Sequence, residues 1–133
     1  IGDAVMASFA SAELAIEAVA EALVSLQEKT THPNGAGSLE MRVGLHSGPS
    51  IVVPVNGIND YFGQTVNISA RVQSKAGASI CLITEAALET PRAKATFEAV
   101  ISRSEFRVLQ PENLNLKGVS EPIKVYGFEL ITP

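Results

Sequence analysis

The 133-residue chain is long enough to fold as one domain with a hydrophobic core. Its 46% hydrophobic and 18% charged residues exclude a disordered chain. A net charge of −4 without clustered Lys and Arg argues against a nucleic-acid partner, and no apolar run reaches the roughly 18 residues that a membrane span needs. The single cysteine, Cys81, lies in an apolar run and cannot form an internal disulfide, which indicates a buried strand residue in a reducing, cytoplasmic compartment.

The first third of the sequence predicts a strand followed by a long helix. A bend at Gly2-Asp3 leads into a short strand over residues 4–9. Ser11 is a suitable N-cap for a helix over residues 11–27. Glutamates at four-residue spacing predict its solvent face, and the opposite face is expected to be apolar. The glutamates are Glu13, Glu17 and Glu21, and the apolar residues are Leu14, Ala15, Ala18, Val19, Ala22, Leu23 and Leu26.

The next segment predicts a polar loop and a hairpin. Residues 30–38 are rich in Gly, Pro and polar residues, so His32 is expected on a surface loop. Residues 41–46 alternate as a strand, Gly48-Pro49 breaks it, and residues 51–55 are expected to be its hairpin partner. His46 could act as an acid or base, but no carboxylate or nucleophile has matching spacing. We therefore expect a structural role for His46 at the end of the strand.

The central stretch over residues 59–71 reads NDYFGQTVNISAR and predicts an acidic bend followed by a helix over residues 64–75. Asn67 and Arg71 are four residues apart, so they project from one face of that helix. An amide above a guanidinium, next to the carboxylate of Asp60, suits a nucleotide. The same residues could also form a solvated helix face beside a turn aspartate.

The second half predicts alternating helices and strands. Gly77 is a plausible helix stop, and strands are predicted over residues 79–84, 105–109, 113–116 and 123–130. Short helices are predicted over residues 85–89 and 93–100, separated by Pro91, and a turn is predicted at Lys117-Gly118. The order of elements predicts a single α+β sandwich with helices against a mainly antiparallel sheet.

Four sequence strings together indicate a family. In chain order they are GDAVMASF from Gly2, RVGLHSGP from Arg42, NDYFGQTVNISAR from Asn59 and LKGVSEP from Leu116. With this order and spacing the chain resembles the catalytic domain of the class III nucleotidyl (adenylate/guanylate) cyclases, from residue 1 to about residue 130. The resemblance implies a ferredoxin-like α+β sandwich without the first strand and helices of the family fold. Residues 1–133 would then be the C-terminal portion of a single catalytic domain.

The resemblance also implies a reaction and a role for each matching residue. ATP would be converted to 3′,5′-cyclic AMP and pyrophosphate with the help of two Mg²⁺ or Mn²⁺ ions. Asp3 would bind metal and Asp60 would recognise the base. Asn67 would position the ribose, Arg71 would meet the α-phosphate, and Lys117 would hold the terminal phosphates. A carboxylate at Asp60 can accept a hydrogen bond from the exocyclic amine of adenine, which favours ATP over GTP.

The family resemblance further implies a homodimer whose active sites lie between two cyclase domains. The metal carboxylates would come from one protomer and the base, ribose and phosphate residues from the other. A second metal-binding aspartate and a base-recognition lysine would lie upstream of Ile1. We therefore expect the 133-residue chain alone to make no cyclic nucleotide, and the missing strand to leave a sheet edge unpaired. The run over residues 49–55 lacks a glycine that many members carry, which indicates subfamily variation.

Three alternatives remain open on sequence grounds. The chain could be a degenerate cyclase-like module that binds nucleotide or dimerises without turnover, or it could belong to a guanylate cyclase. It could also be an unrelated α+β domain that shares the central string. An intact upstream aspartate would favour the enzyme, and thermal stabilisation by an ATP analogue with Mn²⁺ would exclude the unrelated domain.

Overall fold

The computed structural model describes residues 4–30, 40–49, 51–55 and 58–131, without the side chains of residues 30, 51–55 and 58–62. In this part of the chain, three α-helices, one short 3₁₀-helix and six strands alternate, which confirms the α+β class. In chain order the elements are α1 (Ala12–Thr30), β1 (Arg42–Leu45), β2 (Ile51–Val55), β3 (Ile58–Phe62), α2 (Gln64–Lys75), β4 (Ile80–Thr84), the 3₁₀-helix (Glu85–Leu88), α3 (Pro91–Ile101), β5 (Phe106–Leu114) and β6 (Ile123–Leu130).

Four of the strands form one sheet in the order β1-β4-β6-β5. Strand β1 runs parallel to β4, with Arg42 opposite Ile80. The other two pairs are antiparallel, and Phe128 of β6 lies opposite both Cys81 of β4 and Val108 of β5. The remaining strands, β2 and β3, form a separate antiparallel pair. The main sheet is therefore mainly antiparallel, as predicted.

The sheet has an apolar cluster on each of its faces. Strand residues point to alternate faces, so neighbouring β4 residues belong to different clusters: Ile83 packs with α1 and α3, whereas Leu82 packs with α2. The first cluster includes Ile16, Leu23, Phe97, Val100 and Phe128. The second includes Ile68, Val72, Leu82, Leu116 and Val125. The sheet thus separates α2 from the other two helices.

Helix α1 begins as predicted but presents a different apolar face. The backbone N–H of Leu14 donates to the Ser11 hydroxyl oxygen over 3.4 Å, in agreement with an N-cap. The side chain of Leu14 is 50% exposed, and Ala22 is also exposed, so both were wrongly assigned to the buried face. The buried residues are Ala15, Ile16, Ala20 and Leu23. The difference arises because α1 packs against α3 as well as against the sheet.

Two strand predictions are wrong. Residues 4–9 form no strand among the described elements, and Val5 in this segment is 96% exposed. Strand β2 pairs with β3, and not with β1 as predicted. The partner of β1 is the distant β4. An alternating pattern shows that a segment is extended, but it does not show which other segment completes its hydrogen bonds.

Several element boundaries also differ from the prediction. The predicted acidic bend that contains Asp60 lies within β3, and Pro91 is the first residue of α3 instead of a separator. The predicted strands at residues 105–109 and 113–116 are one strand, β5, whose pairing with β6 shifts between Leu109 and Glu112. Helix α2, by contrast, has its predicted bounds, Gln64–Lys75, with Ala76 as its C-cap and Gly77 just beyond. Thr30 lies in α1, and the rest of the predicted loop, with His32, lies outside the described residues.

Candidate active site

Helix α2 presents Asn67 and Arg71 to solvent on one face, as the sequence predicts. The helix follows Gly63, whose φ of 120° favours glycine, and the backbone N–H of Asn67 donates to the Gly63 carbonyl over 3.1 Å. Ile68 and Val72 follow directly after these polar residues and are buried against the sheet. Their burial fixes the rotation of α2, so the amide and the guanidinium must point outward.

The opposite face of α2 is held against β1 and the residues that follow it. The Ser69 hydroxyl donates to the carbonyl oxygen of Gly44 over 3.0 Å, and the Thr65 hydroxyl donates to the carbonyl oxygen of Pro49. A Cβ atom at Gly44 would lie 2.4 Å from the backbone nitrogen of Gln73 and 2.7 Å from the Ser69 carbonyl oxygen. The helix backbone therefore lies directly on the strand backbone, which only a glycine permits.

Lys117 lies in an exposed turn on the same side of the sheet as α2. It is followed by Gly118, whose φ is 82°. The preceding residue, Leu116, is 5% exposed and packs in the same apolar cluster as Ile68 and Val72. This anchor places the Lys117 turn on the α2 side of the sheet.

The structure describes only part of what is needed to locate the two predicted carboxylates, Asp60 and Asp3. Asp60 lies in β3, opposite Val53, and β3 leads through Gly63 into α2. Asp60 therefore precedes Asn67 by only seven residues, and its side chain is outside the described part of the structure. Asp3 lies outside the described residues altogether. The structure thus brings Asn67, Arg71 and Lys117 to one side of the sheet, and leaves both carboxylates as predictions.

Potential metal ligands do not cluster in the described residues. Within these ranges, no group of three or more His, Cys, Asp or Glu residues could hold a metal ion. Cys81 is fully buried, and burial raises the pKa of its thiol, which keeps it protonated and unreactive. The described donor set therefore does not by itself fit a metal site. The carboxylate of Asp3, which is outside the described ranges, would be a further ligand.

His46 has the structural contact that the sequence analysis expected. Its Nδ1 atom lies 2.7 Å from the hydroxyl oxygen of Thr84, which is fully buried in β4. Partial burial lowers the pKa of the His46 imidazole and so favours its neutral form. The contact links the end of β1 to the end of β4, and it leaves His46 on the side of α2 away from Asn67.

The inner face of α2 also borders a cavity of about 230 Å³. Its walls come from residues 6–12, from the end of β1 with its following loop, and from Thr65, Val66 and Ser69 of α2. Asn67 and Arg71 do not line this cavity. The hydroxyls of Thr65 and Ser69 were not predicted to be functional, although their four-residue spacing beside the apolar stripe of α2 is a recognisable signal.

The sequence and the fold can be compared with those of known proteins. The chain matches the family described as the adenylate and guanylate cyclase catalytic domain over residues 1–129. The chain belongs to this family. Among curated cyclases, it is 38% identical over 95 residues to the receptor-type adenylate cyclase GRESAG 4.2 of Trypanosoma brucei brucei. That match covers 70% of the chain but only 15% of the relative, so the chain spans a small part of that relative's length.

Solved structures of cyclases share the fold of the chain. The adenylate/guanylate cyclase/hydrolase from Silicibacter pomeroyi superposes with a TM-score of 0.62 and 16% identity, covering 93% of this chain and 66% of that one. The guanylate cyclase domain of RhGC from Catenaria anguillulae, in complex with GTP, gives a TM-score of 0.61 at 19% identity. That match covers 91% of this chain and 60% of the other. The predicted cyclase fold is therefore confirmed.

None of the described helices of this cyclase-family chain is both long and apolar enough to cross a membrane.

Proposed function

We propose that the chain is the C-terminal portion of a catalytic domain that converts ATP to 3′,5′-cyclic AMP and pyrophosphate for intracellular signalling. The observation that carries the proposal is the outward face of α2 in a chain that belongs to the cyclase family. On this face Asn67 and Arg71 are exposed one helical turn apart, while the neighbouring Ile68 and Val72 hold the helix against the sheet. The cytosol supplies ATP, so we place the domain there, as part of a larger regulated protein.

Arg71 and Asn67 have the chemistry that the cyclisation requires. The ribose 3′-oxygen attacks the α-phosphorus in line with the departing pyrophosphate, and negative charge builds on the α-phosphate oxygens. A guanidinium donates several hydrogen bonds in a fixed plane and stays charged, so Arg71 stabilises this charge. The amide of Asn67 orients the ribose. A preorganised donor of this kind contributes on the order of 3–4 kcal/mol to the transition state.

Lys117 is proposed to bind the terminal phosphates of the nucleotide, and Asp60 is proposed to bind its base. The exposed ammonium of Lys117, on the α2 side of the sheet, is suited to bind the β- and γ-phosphates as a point charge. A carboxylate at Asp60 accepts a hydrogen bond from the adenine amine, whereas it would face the carbonyl oxygen of guanine. Asp60 therefore favours ATP.

We assign Asp3 a role in binding divalent cations, either Mg²⁺ or Mn²⁺. Such ions prefer carboxylates together with substrate phosphates, and when bound they activate the attacking oxygen and neutralise the leaving group. The described residues offer no group of three or more ligands. Asp3 would thus act with the substrate and with carboxylates outside the described ranges.

The proposed site requires a second cyclase domain. Asn67, Arg71 and Lys117 are exposed in the single chain, so a nucleotide bound to them has one side uncovered. In a symmetric homodimer, the Asp3 region of the other copy would cover that side and generate two equivalent sites. Rotation of one copy against the other would then assemble or dismantle both sites, which offers a route for regulation.

The proposal is tested by measuring cyclic AMP and cyclic GMP formation by the full-length protein with ATP or GTP and Mn²⁺. We expect ATP to be the preferred substrate, and Asp60→Asn to reduce that preference because an amide can also donate to guanine. Asn59→Ala, on the neighbouring residue, should leave the preference unchanged. A preference for GTP in the wild-type protein would identify a guanylate cyclase. ATP binding without turnover would identify the degenerate module.

A further inference from the structure

We propose that Ser69 is a positioning residue that acts through Arg71. Its hydroxyl bonds to the Gly44 carbonyl at 3.0 Å, and together with Thr65 it holds the inner face of α2 against β1, so that the outer face presents Asn67 and Arg71 at a fixed depth and angle. The inference rests on the proposed function in one respect: it assumes that Arg71 contacts the nucleotide. The hydrogen bond between Ser69 and Gly44 is seen in the structure and does not depend on that function.

The two hydroxyls form a matched pair of attachment points. Thr65 and Ser69 are one helical turn apart. Thr65 donates to Pro49 in the loop after β1, and Ser69 donates to Gly44 within β1. A helix held at a single point can still pivot about that point, whereas two attachments one turn apart prevent the pivoting and fix the angle between helix and strand. The apolar contacts of Ile68 and Val72 are not directional, so they cannot provide this restraint by themselves.

The close approach at Gly44 makes the restraint stiff. The hypothetical Cβ of residue 44 lies 2.4 Å from the Gln73 nitrogen and 2.7 Å from the Ser69 carbonyl oxygen, so no side chain separates helix from strand. Packed backbones have little freedom to shift. Ser69 lies on the opposite side of α2 from Asn67 and Arg71, since two residues advance about 200° around a helix. It therefore affects the nucleotide only by fixing where the outer face lies.

The first test compares Ser69→Ala with Ser74→Ala. Ser74 is a matched control because it lies on the same helix and its exposed hydroxyl bonds within that helix, to the Arg71 carbonyl at 2.7 Å. In the full-length protein we expect Ser69→Ala to lower kcat for cyclic AMP formation about tenfold with KM nearly unchanged, as loss of one hydrogen bond of ordinary net strength allows. Ser74→Ala should keep the wild-type kcat. Equal kcat values for the two variants would overturn the proposal.

A double-variant measurement separates positioning from a general loss of stability. If Ser69 acts mainly by positioning Arg71, Ser69→Ala should lower kcat much less than tenfold in an Arg71→Ala background, where only Asn67 is still displaced. A full additional tenfold loss in that background would show that Ser69 acts independently of Arg71, and would contradict the proposal.

A final measurement does not depend on catalysis. Hydrogen exchange of the α2 amides, measured on the full-length protein without nucleotide, should be faster in Ser69→Ala than in wild type and unchanged in Ser74→Ala. Unchanged exchange in Ser69→Ala would overturn the restraint itself. If exchange responds as expected but the wild-type full-length protein makes no cyclic nucleotide, the proposed function fails while the structural restraint stands.

Discussion

The Ser69 hydroxyl and the Gly44 carbonyl oxygen lie 3.0 Å apart and join α2 to β1 across the α2 face of the sheet. This contact sets the distance between the helix that carries the proposed nucleotide ligands and the sheet that supports it. The chemistry proposed for the outer face of α2 thus depends on packing at its inner face.

The first prediction concerns Gly44→Ala. The added methyl group would overlap the backbone of Gln73 at 2.4 Å, so α2 or β1 must move. We expect the free energy of unfolding to fall by about 1–3 kcal/mol, the usual cost of overpacking. Urea denaturation of the purified chain measures it.

Gly77→Ala provides the control for that substitution. The closest atom to a Cβ at residue 77 is the terminal Cδ1 of Ile80 at 3.2 Å, which a flexible side chain can relieve. Its free energy of unfolding should change by less than about 0.5 kcal/mol. Similar losses in both variants would contradict the close approach of α2 to β1.

The second prediction concerns His46 and pH. Partial burial lowers the pKa of folded His46 below its ordinary value of 6.5. Below about pH 6.5 the unfolded chain therefore binds a proton that the folded chain resists, and stability falls as the pH decreases. His46→Asn should remove this component. We expect the difference in free energy of unfolding between wild type and variant to change between pH 7.5 and pH 5.5, with wild type losing more.

Urea denaturation at several pH values measures this difference. The other histidine, His32, is present in both proteins, so the difference between them isolates the substitution at residue 46. Parallel pH dependences for the two proteins would show that His46 does not resist protonation in the folded state.

The third prediction concerns Lys117. If its ammonium binds the terminal phosphates, Lys117→Ala should weaken the affinity of the full-length protein for ATP about tenfold, equivalent to about 1.4 kcal/mol. Its affinity for AMP should not change. Isothermal titration with each nucleotide measures both. Lys94→Ala is the control, since Lys94 is also exposed but lies on α3, across the sheet. An equal loss for ATP and AMP would assign Lys117 a different role.

The sequence predicted local features better than long-range ones. Helix α2 was predicted with its observed bounds because its stop, its apolar stripe and its polar face all lie within a dozen residues. The pairing of β1 was predicted wrongly because its partner, β4, lies 38 residues further along, from Arg42 to Ile80. Local alternation favours the nearest strand, and the parallel pairing has no local signal.

Other errors concerned where a strand is interrupted and which helix residues are buried. Residues 105–109 and 113–116 were predicted as two strands, but Pro111 lies within the single strand β5 where the pairing with β6 shifts, and β5 is at the edge of the described sheet. An edge strand can include a proline because no partner needs its missing N–H. Leu14 was predicted to be buried because it was placed on the face opposite the glutamates, yet the helix packing leaves it half exposed. For the site, residue types could suggest Asn67 and Arg71, whereas the support from Ser69 required the fold.

The most direct test of the central claim is the rate of cyclic AMP formation by the full-length protein when Arg71 is replaced. Arg71→Ala should lower kcat by a factor of about 10² to 10³, because it removes the donor to the α-phosphate in the transition state. Arg92→Ala, an exposed arginine on α3, should keep the wild-type kcat. Wild-type activity in Arg71→Ala would contradict the assignment of the α2 face as the nucleotide site.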